Sequence, residues 1–230
     1  MSSPFSLPLV QSPDDSDTFF VNRLFCIGRN YADHAREMGH DPQREPPFFF
    51  LKPPSALLPP GASFVYPWFS QELHHELELV VALGQAGYQV DEETAKKMIA
   101  GVGIGLDMTC RDLQREAKRL GRPWDLAKGF DGSAPCSAIH AGGYEILSSI
   151  RQFSLRVNGR LVQQGHWRDM IWSVPELIVE ISRYFHLQPG DLIFTGTPAG
   201  VGPVVPGDEL SADLEGLDLA LQLSVVSPEK

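Results

Sequence analysis

Cysteine is scarce in this 230-residue chain, and Cys26, Cys110 and Cys136 lie far apart without a C-x-x-C pair. That argues against a disulfide framework or a zinc knuckle and suits a reducing compartment. Positive charge is also short. Nineteen Lys and Arg against 29 Asp and Glu leave a formal net charge of -10, which disfavours nucleic acid or an anionic membrane as a partner. No apolar run approaches the roughly 18 residues that span a bilayer, and no basic stretch followed by an apolar core opens the chain. A soluble, unexported, cytoplasmic protein is expected. The length and the 43% hydrophobic content suffice for one sizeable core.

What is present is a chain punctuated by Gly and Pro, with short apolar runs between them. Leu24–Ile27, Pro47–Leu51, Glu78–Leu83, Phe153–Val157, Asp191–Phe194 and Leu217–Val226 read as strands. Asn158-Gly159 between two extended runs signals a hairpin. Helical patterns are fewer: Asp91–Ala100, Thr109–Leu120 stopping at Gly121, and a stretch opened by the capping box Ser173-Val174-Pro175-Glu176. Strands and helices do not alternate regularly, so the expected fold is α+β, with a β-rich mixed sheet and a few short helices. Residues 1–22, with Ser, Pro and Asp and little periodicity, are expected to form a flexible arm ahead of one catalytic domain over 23–230.

The most informative run is His75-Glu76-Leu77-Glu78-Leu79-Val80-Val81-Ala82-Leu83. Alternation along a strand puts Glu76 and Glu78 on one face, beside Val80 and Ala82. Two like charges in partly buried surroundings ask for a compensating cation or proton, with a hard divalent metal the natural candidate; an exposed edge strand with a polar outer face is the plainer reading of the same pattern. Asp107, at the end of Gly103-Ile104-Gly105-Leu106, is either a plain helix N-cap or a third carboxylate, completing a set suited to Mg²⁺ or Mn²⁺. The glycine spacing there does not match a dinucleotide fingerprint. Arg111 and Gln114 share a helix face, and Lys128 is a lone cation in an apolar stretch, either snorkelling or placed to hold a carboxylate or an enolate oxygen. His34 and Glu37 form an i,i+3 pair if their segment is helical, the arrangement a water-activating base requires. His74 and His75 lack the H-E-x-x-H spacing of a zinc site. The Gly-rich turn Phe194–Pro203 is not a P-loop, but its hydroxyls and N–H groups suit a carboxylate.

In this order, Gly28–His34, Leu51-Lys52-Pro53, His75–Leu79, Gly105–Thr109 with Arg111–Gln114, Ala127–Asp131 and Thr195–Pro198 through Gly202-Pro203 resemble the fumarylacetoacetate hydrolase superfamily. The closest likeness is to its acylpyruvate hydrolase branch. Ala35–Gly39 with Arg44–Phe50 looks like bacterial fumarylpyruvate hydrolases. The resemblance implies Mg²⁺ or Mn²⁺ held by Glu76, Glu78 and Asp107, with His34 and Glu37 activating water on a segment that orders over the ligand. It further implies that Lys128 stabilises the enolate, that Arg29, Tyr31, Arg111 and Gln114 contact substrate, and that Thr197 binds a carboxylate. A homodimer acting in aromatic catabolism is expected, hydrolysing a carbon–carbon bond of a small-molecule 2,4-diketo acid such as fumarylpyruvate. Oxaloacetate decarboxylation or dicarboxylate isomerisation would use the same metal site, and a catalytically silent metal-binding protein would share the fold.

Overall fold

The structure is a computed structural model that describes residues 5–11, 17–37 and 45–228. Its frame is an eight-stranded mixed sheet in the order Thr18–Phe20, Ser6–Val10, Ile139–Ala141, Ile99–Leu106, Leu77–Leu83, Asp191–Phe194, Arg23–Gly28 and Phe48–Lys52. Two of its pairings are parallel, Ser6–Val10 with Ile139–Ala141 and Asp191–Phe194 with Arg23–Gly28. A five-stranded sheet runs Arg160–Gly165, Gln152–Val157, Glu209–Glu215, Leu219–Val226 and Phe64–Val65. Thr109–Cys110, Leu73–His75 and Gly202–Val204 form a small third sheet beside the site. The architecture is the mixed-sheet α+β arrangement expected from the pattern of strands and helices.

The strand Leu77–Leu83 lies in the middle of the large sheet and is buried throughout. Leu77, Leu79, Val81 and Leu83 face the main core, while Val80 and Ala82 face a second cluster with Cys26, Cys136 and Phe194. Being covered on both faces, it reads as a continuous apolar run, and the exposed-edge reading of the two glutamates is excluded. Its antiparallel neighbour Ile99–Leu106 pairs Gly105 with Glu78. A Cβ on Gly105 would sit 2.6 Å from the Phe194 ring, so this glycine serves close packing inside a strand. That is not the strand-to-helix turn of a dinucleotide site.

The helices follow their caps. Glu92–Met98 starts at Asp91, whose carboxylate accepts from Thr94 N at 2.8 Å. It ends before Ala100, because Ile99 is already paired with Leu83 in the sheet. Arg111–Leu120 is capped by Cys110 and closed by left-handed Gly121, so Asp107 is not its N-cap. Ser173 N donates to the Glu176 carboxylate at 2.9 Å, opening Val174–Ser182. Asn158 and Gly159 have φ of 51° and 78°, as the expected hairpin turn requires.

The expected flexible arm over 1–22 needs correction within its described residues. Ser6–Val10 and Thr18–Phe20 extend the large sheet, and Leu7 is buried against the second core cluster. Pro8 and the polar residues between the two strands hide their apolar alternation from a sequence reading.

Candidate active site

Three strand ends bring the carboxylates together. Glu78 stands on the central strand, Glu76 occupies the break between Leu73–His75 and Leu77–Leu83, and Asp107 follows Ile99–Leu106. Asp107 N donates to Glu76 O at 2.8 Å, which continues the ladder to the site. One ligand atom from each of Glu76, Glu78 and Asp107 lies within 4.8 Å of the others, and all three residues are buried.

Three cations answer these charges. Lys128, from the short helix Asp125–Lys128, reaches Asp107 Oδ2 at 2.6 Å and Glu76 Oε2 at 3.0 Å. Arg111 Nη2 lies 2.5 Å from Glu76 Oε1, while its Nη1 donates to Gln114 Oε1 at 2.8 Å. Lys52, fully buried at the end of Phe48–Lys52, lies 2.8 Å from Asp107 Oδ1 and donates to Ser133 O and Oγ and to Lys128 O. Burial alone would raise the Glu76 carboxyl; Lys128 and Arg111 outweigh it and hold the group at about 2. Lys128 loses solvation too, yet Asp107 and Glu76 push it above the usual lysine value.

Glu78 is the exception. Its only hydrogen bond among the described residues comes from Gly196 N at 2.8 Å. Burial, then Asp107 and Glu76, push its carboxyl well above the usual range. Asp107 Oδ1 accepts no aligned hydrogen bond despite its nearness to Lys52. A hard divalent cation between these oxygens would relieve both, and the all-carboxylate donor set fits Mg²⁺ or Mn²⁺. Glu76, Glu78 and Asp107 balance Lys52, Lys128 and Arg111, so a bound divalent ion leaves the site positive and suited to an anion.

His34, Arg29, Arg111, Gln114, Lys128 and Thr197 line one cleft with Glu76 and Asp107. The helix Ala32–Glu37 carries both His34 and Glu37, as the i,i+3 spacing predicts. His34 Nδ1 is 3.3 Å from Glu37 Oε2, and Gly200 N lies 3.2 Å from both Glu37 oxygens, tying this helix to the Gly-rich turn. A carboxylate only accepts, so a neutral His34 carries its proton on Nδ1 and leaves the Nε2 lone pair free. Burial lowers the imidazole from its ordinary value despite Glu76 and Glu37, keeping it neutral near pH 7. The structure does not bring Tyr31 to the cleft. Its ring packs edge-on against Phe153 at 6.4 Å, and it borders a separate depression with Asp33, Gln164 and Pro198.

Two residues of this site are given no role by a sequence reading, although Lys52 lies in one of the motifs that carry the resemblance. Lys52 carries the same signal as Lys128, a lone cation beside an apolar run, but it supports the site from behind. Gln163, in a polar-looking strand, is 1% exposed. Its Oε1 accepts from Leu77 N at 3.0 Å, a group that only donates, so the amide orientation is decided. Nε2 therefore donates to Thr197 Oγ1 at 2.8 Å and Pro198 O at 2.9 Å. Thr197 Oγ1 stands 3.5 Å from Pro198 O, the outer limit of a hydrogen bond, so its proton can turn from that carbonyl to the cleft. His75, on Gln163 Oε1 at 2.8 Å, is a buried partner of this amide rather than a metal ligand.

This arrangement can hold a divalent cation, bind an anion and take a proton from water at His34. A family model, fumarylacetoacetate (FAA) hydrolase C-terminal, matches residues 23–223. The mitochondrial oxaloacetate tautomerase FAHD1 of Bos taurus is 43% identical over 206 residues, covering 90% of this chain and 92% of that protein. The oxaloacetate tautomerase YcgM of Escherichia coli is 41% identical over 204 residues, 88% of this chain and 93% of its own. Among solved structures, the fumarylpyruvate hydrolase of Pseudomonas aeruginosa, in complex with Mn²⁺ and pyruvate, superposes with a TM-score of 0.90 at 42% identity. That alignment covers 99% of this chain and 98% of the other. With a match of such extent, and with a buried carboxylate triad whose Glu76 and Asp107 line its cleft, this chain belongs to the fumarylacetoacetate hydrolase family of enzymes.

Proposed function

We propose that the enzyme is a divalent-metal-dependent hydrolase of 2,4-diketo acids, cleaving fumarylpyruvate to fumarate and pyruvate. The observation that carries this reading is the buried, neutral His34, with its Nδ1 on Glu37, in the same cleft as Glu76 and Asp107 of the carboxylate triad. A base of that kind is required to activate water and is not required for loss of CO₂. A relative that is a fumarylpyruvate hydrolase, solved with Mn²⁺ and pyruvate, supports both the substrate and the type of metal.

Glu76, Glu78 and Asp107 would hold the cation, which when bound supplies Lewis-acid stabilisation of the substrate's 2-oxo oxygen. Arg111 and the Thr197 hydroxyl hold the carboxylate of the pyruvyl half, and Gln114 fixes the Arg111 guanidinium. His34 Nε2 takes a proton from a water molecule as its oxygen adds to the distal carbonyl carbon. The bond between that carbon and the methylene carbon then breaks, and its electron pair passes to the pyruvyl half as an enolate. Lys128 faces the developing negative charge. His34 returns that proton to the methylene carbon to give pyruvate, and the acyl half leaves as fumarate, its new carboxylic acid proton passing to solvent. The assembly is a homodimer in this proposal, to be read as a doubled mass in light scattering.

A second reading is favoured by two relatives at 43% and 41% identity that are oxaloacetate tautomerases. Moving a proton between keto and enol forms needs the metal and a base but no attack by water. Incubating metal-loaded protein with fumarylpyruvate, acetylpyruvate and oxaloacetate, with and without chelator, separates the two. Chelator-sensitive release of equal fumarate and pyruvate is expected; enolisation of oxaloacetate with no diketo-acid cleavage would replace the hydrolase reading.

A further inference from the structure

One face of the helix Arg111–Leu120 runs along the whole cleft. Arg111, Gln114 and Lys118 recur at helical spacing on it, and all three line the cleft. Arg111 touches Glu76, so it marks the inner, metal-binding end. Lys118 is seven residues further on, which at the rise of an α-helix places it about 10 Å along the axis.

A second cation joins Lys118 at the outer end. The Lys118 ammonium lies 5.2 Å from the centroid of the Trp124 ring, and the Arg29 guanidinium lies 5.6 Å from that of Phe48. These two rings meet edge to face at 5.8 Å. All four side chains line the cleft, a cation on each ring and the rings edge to face against each other. Arg29 holds a left-handed backbone with φ of 59°, which a non-glycine residue adopts at a cost. Among the described residues neither cation makes an ion pair, in a protein whose formal net charge is -10. Burial and the neighbouring Arg111, Arg29 and Lys128 lower the Lys118 ammonium from its ordinary value, the mark of cations gathered without enough counter-charge.

We propose that Lys118 and Arg29, seated on Trp124 and Phe48, form an outer anion subsite that takes the distal carboxylate of an extended dicarboxylic 2-oxo acid. The inference rests on the reading that the triad and Arg111 take the 2-oxo acid head. It makes length and a second charge the basis of substrate choice. Fumarylpyruvate, kept extended by its trans double bond, reaches both ends. Oxaloacetate is too short to bridge them, and acetylpyruvate has no second charge.

The test is calorimetric binding to the Mn²⁺-loaded protein of 2-oxopimelate and 2-oxoheptanoate, which match the carbon chain of fumarylpyruvate in length and differ by a carboxylate in place of a methyl group. Neither can be hydrolysed, so the result is independent of turnover. The expected result is a preference for 2-oxopimelate of about tenfold, the size of a charged hydrogen bond in a partly exposed site. In Lys118→Met and Arg29→Met that ratio falls, and in the double variant it approaches unity. Equal affinity of the unaltered protein for the two acids, no affinity for either, or a ratio that survives the double substitution overturns the subsite. Failure to release pyruvate from fumarylpyruvate, with the binding ratio intact, would sink the hydrolase reading alone.

Discussion

Glu76, Glu78 and Asp107 stand at the ends of strands inside the large sheet, backed by Lys52, Lys128 and Arg111, with every charge buried. His34 stands instead on a six-residue helix tied to the Gly-rich turn through Glu37 and Gly200. The floor of the cleft is thus organised before any ligand arrives, by ladder hydrogen bonds and ion pairs that are costly to disrupt. The wall carrying the base is light, its helix too short to be stable alone. The difference separates two tasks. Holding charge demands rigidity and burial, whereas admitting substrate and releasing product favours an element with few anchors.

If that division is right, the largest effects on stability come from the floor. Lys52→Met strands Asp107 beside Glu78 without its rear counter-charge, and a loss of about 3–5 kcal/mol is expected in urea denaturation. A variant as stable as the parent would show that the floor is not held by this pairing. At the wall the effect should fall on rate alone. His34→Ala is expected to slow hydrolysis by about 10²–10⁴-fold while Mn²⁺ affinity by calorimetry stays close to that of the parent. Loss of metal with retained hydrolysis would reverse both assignments.

Glu37→Gln sharpens the contrast further. Burial lowers the His34 imidazole from its ordinary value of 6.5, and Glu37 acts in the opposite direction. The neutral base is the active form, so kcat/KM rises with pH through an acidic limb centred below 6.5. Removing the Glu37 charge should move that limb lower still and cut the rate at neutral pH by roughly tenfold, since less basic imidazole takes a proton less readily. An unmoved limb would separate Glu37 from His34. The smallest effect is expected at Gln163→Glu, where a carboxylate cannot donate to Thr197. The Thr197 proton then turns towards the new carboxylate and away from substrate, raising KM by about threefold with kcat little altered. The effect should vanish in a Thr197→Val background; additive losses would mean that Gln163 acts only on packing.

Much of the fold was legible because its signals are local. The strands around Leu24, Glu78, Phe153, Asp191 and Leu219, the Asn158-Gly159 turn and the Ser173 capping box all announce themselves within a few residues. Helix ends were less legible. Ile99 and Ala100 look helical until the sheet takes Ile99 into register with Leu83. The strands Ser6–Val10 and Thr18–Phe20 could not be read at all, since their strand character depends on a distant partner at Ile139–Ala141.

The same line divides the site. Sequence alone determined which residue types were available for chemistry: a Glu-x-Glu pair in an apolar run, an Asp at a strand end, an isolated Lys and a His three residues before a Glu, because spacing within one element is preserved on folding. Tertiary structure decided what each of them does. It placed Asp107 beside Glu76 and gave Glu76 two cations while leaving Glu78 with one backbone N–H. It packed Tyr31 against Phe153, outside the cleft lining, and joined Gln163 to Thr197, residues 34 apart in the chain. Burial and the charge of non-local neighbours set these roles, and neither quantity exists until the strands are assembled.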